Sequence, residues 1–473
     1  MSPLNTQMIP ARRFPLLLAA VGVTVILGTV LGAGVRATYG AATTADEPQY
    51  LLSAISIWED GDLDISDELA SRRYLEFHEV ALPTQTRPLA DGRRVSPHDP
   101  LLPLLLALPV GLGGWMGAKA AMAVMAGGLA ALVVWIAHRR LGVRSGVAAA
   151  VVLVFALSPP LAVYSTQTYP ELPAAAVVAL AVALLTGAPR PAAVWAAVGA
   201  VVALPWLAVK YVPLAAVLAI GTLLWAPRRA RYWIIGSLGL AGLVYAVAHL
   251  AIYEGLTPYA AGDHFVGGEL TAVGTDPDLW GRASRLVGLV VDRGFGLASW
   301  QPAFFLLPVA AGFAWKGRPR YAPLLIALVA TGWLVATFLA LTMHGWWFPG
   351  RQLVVVLPIS VLLVARWADT SDLRLGVTAL LGALGVVAFG FLLGEGLAGR
   401  LTWVVDFGAT ANPVYGLYAP LLPDYMSPSP ATWIRHSLWA VGLAGLVAVG
   451  WRAESPDTRE RGKVAIERER HPV

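Results

Sequence analysis

The chain has 473 residues, of which 57% are hydrophobic and only 13% are charged, and its formal net charge is +5. Soluble domains carry roughly a quarter charged residues, so this composition indicates a protein that lies largely in a membrane. The sequence contains no Cys, which excludes disulfides and thiolate sites. The basic residues lie in short gaps between apolar runs, a pattern that reports membrane topology and not nucleic-acid binding.

Apolar runs near the length of a bilayer span recur along the whole chain. The first, Phe14 to Val35, is longer than the core of a usual signal peptide, so we expect an uncleaved span, with a cleaved signal peptide as the alternative. Twelve spans are predicted, near residues 14–35, 117–138, 145–163, 171–187, 191–208, 211–226, 232–252, 302–316, 321–342, 352–367, 373–395 and 433–451. A further run, Leu101 to Gly114, is short and contains Pro, and its placement decides the orientation of the segments around it.

The distribution of Arg and Lys resolves that ambiguity. If Leu101 to Gly114 is an interfacial or re-entrant helix and the N-terminus is cytoplasmic, every inner segment carries Arg or Lys. Three long outer loops follow, at residues 36–100, 253–301 and 396–432. We therefore predict an all-α polytopic bundle in the plasma membrane, with both termini cytoplasmic. Residues 1–452 would form one domain, and residues 453–473 a disordered, charged cytoplasmic tail.

Three acidic residues are predicted at the outer membrane surface. Asp46 and Glu47 are adjacent at the start of the first outer loop, and Glu171 follows Pro170 in a short outer turn between two spans. A carboxylate in such a place can act as a general base for a hydroxyl, or bind a divalent cation such as Mg²⁺ or Mn²⁺. Acidic residues also favour helix N-termini, which is the structural alternative for all three.

Three basic residues are predicted on the outer side, where Arg and Lys are otherwise scarce: Lys210, Arg293 and Arg351. Charges at the membrane edge are costly and suggest a function. A lipid phosphate is a natural partner, because Arg can bind it with two hydrogen bonds and Lys as a point charge. The alternative is that these side chains extend to lipid headgroups. That alternative is weaker for Arg351, which follows an aromatic, Gly-containing stretch.

Aromatic side chains accompany these charges. His98, in Pro97-His98-Asp99, leads into the ambiguous run and suits the start of an interfacial helix, although a lone His is more often structural. Trp346 and Trp347 could stack on a sugar ring or belong to the aromatic belt at the membrane interface.

The order and spacing of these motifs resemble the GT-C class of membrane glycosyltransferases, in particular the protein O-mannosyltransferase and aminoarabinose transferase group. The motifs are Asp46-Glu47-Pro48-Gln49-Tyr50, His98-Asp99-Pro100-Leu101 and Gln167-Thr168-Tyr169-Pro170-Glu171. The resemblance is best over residues 10 to 200 and looser to about 370. It departs at Asp99, where the mannosyltransferases have Pro.

The resemblance implies a GT-C-like bundle with juxtamembrane helices in the first outer loop. It also implies inverting transfer of a sugar from a polyprenyl-phosphate donor to an acceptor hydroxyl at the outer face. Asp46 would be the base, while Glu47 and Glu171 would orient the acceptor or hold a metal ion. The remaining roles follow from the same resemblance: phosphate binding by Lys210, Arg293 and Arg351, and sugar or acceptor contacts by Tyr50, His98, Trp346 and Trp347.

The sugar stays open, and so does the acceptor, which could be a protein, a glycolipid or a polysaccharide. Two other functions are considered. A transporter or lipid flippase would be expected to show inverted repeats and ionisable residues at mid-membrane, whereas these spans are mostly Ala, Leu, Val and Gly. A non-catalytic lipid-binding or assembly subunit is the third. The abundance of Ala, Val, Gly and Arg is typical of a GC-rich bacterial genome.

Overall fold

The computed structural model describes residues 13–263 and 278–453. The predicted tail, except Ala453, lies outside the described residues, as does part of the predicted loop at 253–301. The described residues form α-helices joined by short 3-10 and π-helical segments, without a β-strand among them. The all-α prediction is therefore confirmed.

The α-helices of the described residues are, in chain order, α1 (Phe14–Val30), α2 (Glu47–Glu59), α3 (Ser66–Ala70), α4 (Leu101–Arg139), α5 (Ser145–Ala156), α6 (Leu161–Tyr164), α7 (Glu171–Leu185), α8 (Pro191–Leu207), α9 (Val212–Trp225), α10 (Arg228–Tyr253), α11 (Leu279–Ala283), α12 (Arg285–Val291), α13 (Leu297–Trp300), α14 (Leu306–Gly317), α15 (Ala322–Leu334), α16 (Leu357–Ala368), α17 (Asp372–Leu397), α18 (Pro413–Tyr418) and α19 (Pro430–Arg452).

Seven helical segments of the described chain are long and apolar enough to cross a membrane: Phe14–Gly34, Leu101–Arg139, Arg228–Ala261, Ala322–Leu339, Arg351–Ala368, Asp372–Leu397 and Pro430–Arg452. Four shorter apolar helices have 10 to 17 residues: Ser145–Ala156, Glu171–Leu185, Pro191–Leu207 and Val209–Trp225. The remaining predicted span, 302–316, overlaps α14. The chain is a multi-pass membrane protein, and the count of twelve crossings stays a prediction.

Helix α4 is broken at two consecutive glycines. Gly113 and Gly114 have φ/ψ values of −142°/16° and 59°/−156°, neither of which is helical. Pro109 lies one turn before the break, and a Cβ on Gly117 would come within 2.1 Å of the Pro109 carbonyl oxygen. The break separates the ambiguous run, Leu101 to Gly114, from the predicted span that follows it. The run is thus a helical segment of its own, and its position relative to the membrane stays a prediction.

The centre of the bundle is the segment Arg351–Ala368, which contains α16. Of the residues in Arg351–Ala368, 89% are buried, against 11% in the most apolar windows of Arg228–Ala261 and Pro430–Arg452. Helix α16 packs against α4, α5, α14 and α17. Because Arg351 begins this central segment, the fold places its guanidinium inside the protein.

The first predicted outer loop is also well packed. It contains α2 and α3, and α2 lies along α4 with its first ten residues, Glu47 to Ser56, buried. The start of α2 is therefore held inside the protein, close to the ends of the central helices.

Candidate active site

A constrained turn places Asp46 at the N-terminal end of α2. Ala45 has a φ of +52°, a left-handed value that is uncommon for a residue other than Gly. The side chain of Gln85 donates a hydrogen bond to the Ala45 carbonyl oxygen at 3.1 Å. Pro48 lies in the first turn of α2, where its fixed φ suits a helix start. Asp46 is thus held at one position by the backbone on both sides.

A second constrained turn places Arg351. Gly350 has a φ of +83°, and a Cβ on it would lie 2.8 Å from Leu297 and 3.0 Å from Pro160. Only Gly fits such a position without strain. The Tyr164 hydroxyl donates to the carbonyl oxygen of Phe348 at 2.5 Å, which anchors the same turn to the bundle.

Four charged side chains meet between these turns. Arg351 Nη2 lies 2.6 Å from Asp46 Oδ2, and Arg351 Nε lies 3.0 Å from Glu171 Oε1. Lys210 Nζ lies 2.7 Å from the same Glu171 oxygen. The guanidinium carbon of Arg351 lies 3.9 Å from the ring centre of Tyr169, so it is also held by a cation–π contact. We call Asp46, Glu171, Lys210 and Arg351 the Arg351 cluster.

The Arg351 cluster has two acidic and two basic members, so its formal charges balance. The side chains of Arg351 and Glu171 are 5% and 1% exposed, whereas those of Asp46 and Lys210 are 27% and 25% exposed. A ligand can therefore reach one carboxylate and one ammonium, while the other pair lies beneath them. Burial alone would raise the pKa of Asp46, but the charge and hydrogen bond of Arg351, together with His98 and Lys210, outweigh it and lower the pKa.

Glu47 does not touch the Arg351 cluster directly. Its carboxylate accepts hydrogen bonds from the backbone N–H groups of Thr168, at 2.8 Å, and Thr44, at 3.3 Å. Burial raises the pKa of Glu47, and the charge of Lys119 opposes this. Glu47 therefore braces the start of α2 against the turn before α7.

Lys119 is a charged residue that sequence reasoning missed. It is 2% exposed, and its Nζ donates to the Ala33 carbonyl oxygen at 3.0 Å. The available signal was a Lys inside a long apolar run, which is costly and therefore informative.

His98 lies beside Asp46, and Tyr50 packs against His98. Their rings stack with centres 4.6 Å apart and an angle of 25°. His98 Nε2 lies 4.0 Å from Asp46 Oδ1, and this nitrogen has no hydrogen-bond partner. Burial lowers the pKa of His98 even though the Asp46 carboxylate opposes it. His98 is thus neutral near pH 7 and free to bond a hydroxyl.

Asp99 holds the turn that carries Lys210. One oxygen of Asp99 accepts a hydrogen bond from the Val209 backbone N–H at 2.8 Å. The other accepts from the Tyr245 hydroxyl at 2.9 Å and lies 3.0 Å from His249 Nε2. From the sequence, Asp99 is only a departure from a family pattern, and Tyr245 and His249 are two residues of a predicted span. A His within an apolar run was the signal for this contact.

The other predicted residues are placed as follows. Trp347 lies near the cluster, with its ring centre 5.2 Å from the Arg351 guanidinium carbon. Trp346 is 63% exposed. Arg293 binds elsewhere, because its Nη1 lies 3.1 Å from Asp424 Oδ2. In the described residues neither Trp346 nor Arg293 contacts the cluster, and the roles implied for them stay predictions.

Several buried polar atoms beside the cluster have no hydrogen-bond partner in the described residues. They are Gln49 Oε1, Thr168 Oγ1, Glu171 Oε2 and Tyr211 OH. Buried polar atoms are normally satisfied, so these atoms suit the hydroxyl groups of a bound ligand.

In the described residues, the carboxylate oxygens of the three predicted acidic residues do not converge as the ligands of a metal ion would. Asp46 and Glu171 accept hydrogen bonds from the guanidinium of Arg351, and Lys210 adds a second cationic donor to Glu171. The Glu47 carboxylate already accepts hydrogen bonds from backbone N–H groups. Protein cations thus occupy the positions that a divalent ion would need, and the donor set does not fit one.

Comparison with known proteins bears on the fold. No protein-family model matches the chain, and no curated protein matches it in sequence. Among solved structures, it is similar to ArnT from Cupriavidus metallidurans in the apo state, an aminoarabinose transferase of the GT-C class, with a TM-score of 0.50 and 16% identity over 93% of this chain and 74% of that chain. The fold is GT-C-like. The structure of ArnT bound to undecaprenyl phosphate gives a TM-score of 0.42 at 16% identity, over 93% of this chain and 75% of that chain.

The likeness confirms the GT-C-like fold that the sequence motifs indicate. Nearly the whole described bundle takes part in it, since the match covers 93% of this chain. The roles of individual residues rest on the geometry of the Arg351 cluster.

Proposed function

We propose that the chain is a membrane glycosyltransferase that moves a sugar from a polyprenyl-phosphate donor to an acceptor hydroxyl. The observation that carries the proposal is the pairing of an accessible carboxylate, Asp46, with an accessible ammonium, Lys210, over a buried Arg351. A base and a phosphate-binding cation in one cluster are what such a transfer needs. The GT-C-like fold supports the same reaction class.

In the proposed reaction, Asp46 removes the proton from the acceptor hydroxyl. The hydroxyl oxygen then forms a bond to the anomeric carbon while the bond from that carbon to the phosphate oxygen breaks. The electron pair of the broken bond leaves with the polyprenyl phosphate, and Lys210 and Arg351 stabilise the added negative charge. One displacement of this kind inverts the anomeric carbon. We place it at the outer face, following the distribution of Arg and Lys.

Donor binding would also activate the base. In the protein alone, Arg351 lowers the pKa of Asp46 and so makes its carboxylate a weak base. A donor phosphate competes for Arg351 and Lys210, which weakens their hold on Asp46 and Glu171. The carboxylate of Asp46 then gains basicity only when a sugar is present to be attacked.

The neighbouring side chains have roles in this scheme. His98 lies beside Asp46, and Tyr50 stacks on His98. Trp347 lies beside Arg351, so we assign these three aromatic side chains to sugar or acceptor contacts. Glu171 holds the two cations, Lys210 and Arg351, next to each other. We further propose that transfer needs no divalent metal. Initial rates after chelation, measured well below the unfolding temperature, should be unchanged by added Mg²⁺ or Mn²⁺.

The central test is Asp46→Asn in proteoliposomes supplied with a panel of radiolabelled polyprenyl-phosphate sugars and membrane extract as acceptor. Loss of a general base should lower transfer by about 10²–10⁴-fold at normal protein level. Asp91→Asn is the matched control, because Asp91 is a loop carboxylate whose ion pair with Arg93 is exposed.

Full transfer by Asp46→Asn would overturn the assigned role. If the wild-type protein instead moves labelled donor across the bilayer without transferring sugar, the transporter or flippase function would replace the proposal.

A further inference from the structure

The C-terminal end of α2 carries a second group of carboxylates. One oxygen from each of Asp60, Asp67 and Glu68 lies within 4.8 Å of the others. Helix α2 has 13 residues, which places this group about 20 Å along the helix axis from Asp46. We call these three residues the acidic loop cluster. It is separate from the Arg351 cluster and does not depend on the function proposed above.

Nearby acidic residues have partners, whereas these three do not pair with a cation. Glu59 makes two hydrogen bonds with Arg73, at 2.9 and 3.0 Å. Asp62 and Asp64 accept hydrogen bonds from the hydroxyls of Ser56 and Ser66, at 3.0 and 2.6 Å. In the described parts of the chain, no Arg, Lys or His forms an ion pair with any member of the acidic loop cluster.

Glu68 shows most directly that a positive partner is missing. It is only 2% exposed, yet both of its carboxylate oxygens lack a hydrogen-bond partner. Burying an unpaired carboxylate is strongly unfavourable. A cation held between Glu68 and its neighbours Asp60 and Asp67 would supply the missing positive charge.

We propose that the acidic loop cluster binds a divalent cation of the Ca²⁺ type, with Glu68 as its buried ligand and Asp60 and Asp67 as its exposed ligands. Three carboxylates supply hard oxygen donors, and water or backbone carbonyl groups complete a shell of six to eight. Ca²⁺ accepts such an irregular arrangement, whereas Mg²⁺ requires a near-octahedral one. The cluster offers neither His nor Cys, the ligands that transition metals favour.

The bound ion would fix the connection between α2 and α3. It would offset the repulsion among the three carboxylates and tie the end of α2 to the first turn of α3, where Asp67 and Glu68 lie. Because the ligands are few and two are exposed, we expect affinity in the range of about 10⁻⁴–10⁻³ M that is typical of extracellular Ca²⁺ sites.

Terbium luminescence on the purified, full-length protein in detergent tests the proposal. Trp58 lies two residues before Asp60 and is 47% exposed, so it can transfer energy to a Tb³⁺ ion in the cluster. We expect Tb³⁺ emission on excitation of Trp, displaced by CaCl₂ with a midpoint of about 0.1–1 mM. Thermal unfolding with and without CaCl₂ gives an independent readout, and the unfolding temperature should rise with Ca²⁺.

Glu68→Gln should abolish both responses, and Asp67→Asn serves as a second variant if Glu68→Gln fails to fold. Asp91→Asn, in the same loop but outside the cluster, should keep both. The absence of Tb³⁺ emission and of a Ca²⁺-dependent unfolding temperature in the wild-type protein would overturn the proposal, and so would unchanged responses in both cluster variants. Equal displacement by MgCl₂ would overturn the assignment to Ca²⁺.

Discussion

The two ends of α2 carry acidic residues in opposite electrostatic situations. At the N-terminal end, Asp46 and Glu171 meet two cations supplied by distant parts of the chain, Lys210 and Arg351. At the C-terminal end, the three carboxylates of the acidic loop cluster meet no protein cation in the described residues. At the first end, protein cations neutralise the carboxylates. At the second end, only a bound proton or metal ion can do so.

This difference shows what a buried carboxylate can be used for. Where the protein provides the counter-charge, as at Asp46, the carboxylate stays ionised and can act as a base once a competing anion arrives. Where the protein provides no counter-charge, as at Glu68, the carboxylate can serve as a ligand for a metal ion. Removing single charges from either end tests this difference.

The largest effect is expected from Arg351→Met, which removes the central cation and leaves Asp46 and Glu171 without it. Breaking a buried pair on one side costs about 3–5 kcal/mol, so the unfolding temperature and the amount of folded protein should fall sharply. Arg293→Met is the control, because its ion pair with Asp424 is about one-third exposed and should cost much less. Equal unfolding temperatures for the two variants would contradict a special role for the cluster.

Lys210→Met should separate catalysis from stability. The Lys210 side chain is 25% exposed, so its loss should change the unfolding temperature little. If it stabilises the leaving phosphate, kcat should fall by about 10²–10³-fold. Lys316→Met, which alters a partly exposed Lys in the last turn of α14, is the matched control. A normal kcat for Lys210→Met would remove Lys210 from the proposed mechanism.

At the other end of α2, we expect the loss of a charge to raise the unfolding temperature instead of lowering it. Asp67→Asn removes a negative charge that lies close to Asp60 and Glu68, so without Ca²⁺ the unfolding temperature should rise slightly. With Ca²⁺, the variant should gain nothing further, unlike the wild-type protein. Differential scanning fluorimetry with and without chelator checks both statements. A fall in the unfolding temperature without Ca²⁺ would show that Asp67 has a stabilising partner.

The smallest effect concerns pH and His98. Because burial lowers the pKa of His98 in the folded protein, the unfolded chain binds a proton more readily. The resulting stability is fully present above the ordinary His pKa of about 6.5 and is lost as the pH falls below it. The unfolding temperature of the wild-type protein should therefore drop more than that of His98→Gln between pH 8 and pH 5.5. Parallel curves would contradict a neutral, buried His98.

The positions of its four charged residues in the sequence predicted much of the Arg351 cluster. Asp46, Glu171, Lys210 and Arg351 each stand out as a charge beside an apolar run, and hydropathy alone places them near span ends. Their hydrogen bonds could not be predicted in this way, because Arg351 is 305 residues from Asp46. Hydropathy contains no information on which helices pack together.

Hydropathy could not predict some other contacts in the structure, for a different reason. The contact of Asp99 with Tyr245 and His249 joins the first loop to a helix that looks like an ordinary span. Window averages dilute single polar residues, so such contacts disappear from the pattern. The same averaging predicts a span at 302–316, where the structure has a 3-10 segment followed by the 12-residue α14.

The long sequence separation within the Arg351 cluster has a consequence for biosynthesis. Asp46 and Glu171 are made 305 and 180 residues before the guanidinium that pairs with them. Chains grow from the N-terminus, so the early helices must be inserted while both carboxylates still lack Arg351. Lys210 can pair with Glu171 before then, but the Asp46–Arg351 and Glu171–Arg351 ion pairs cannot yet form. We therefore expect the bundle to close around the Arg351 cluster only after Arg351 has been made.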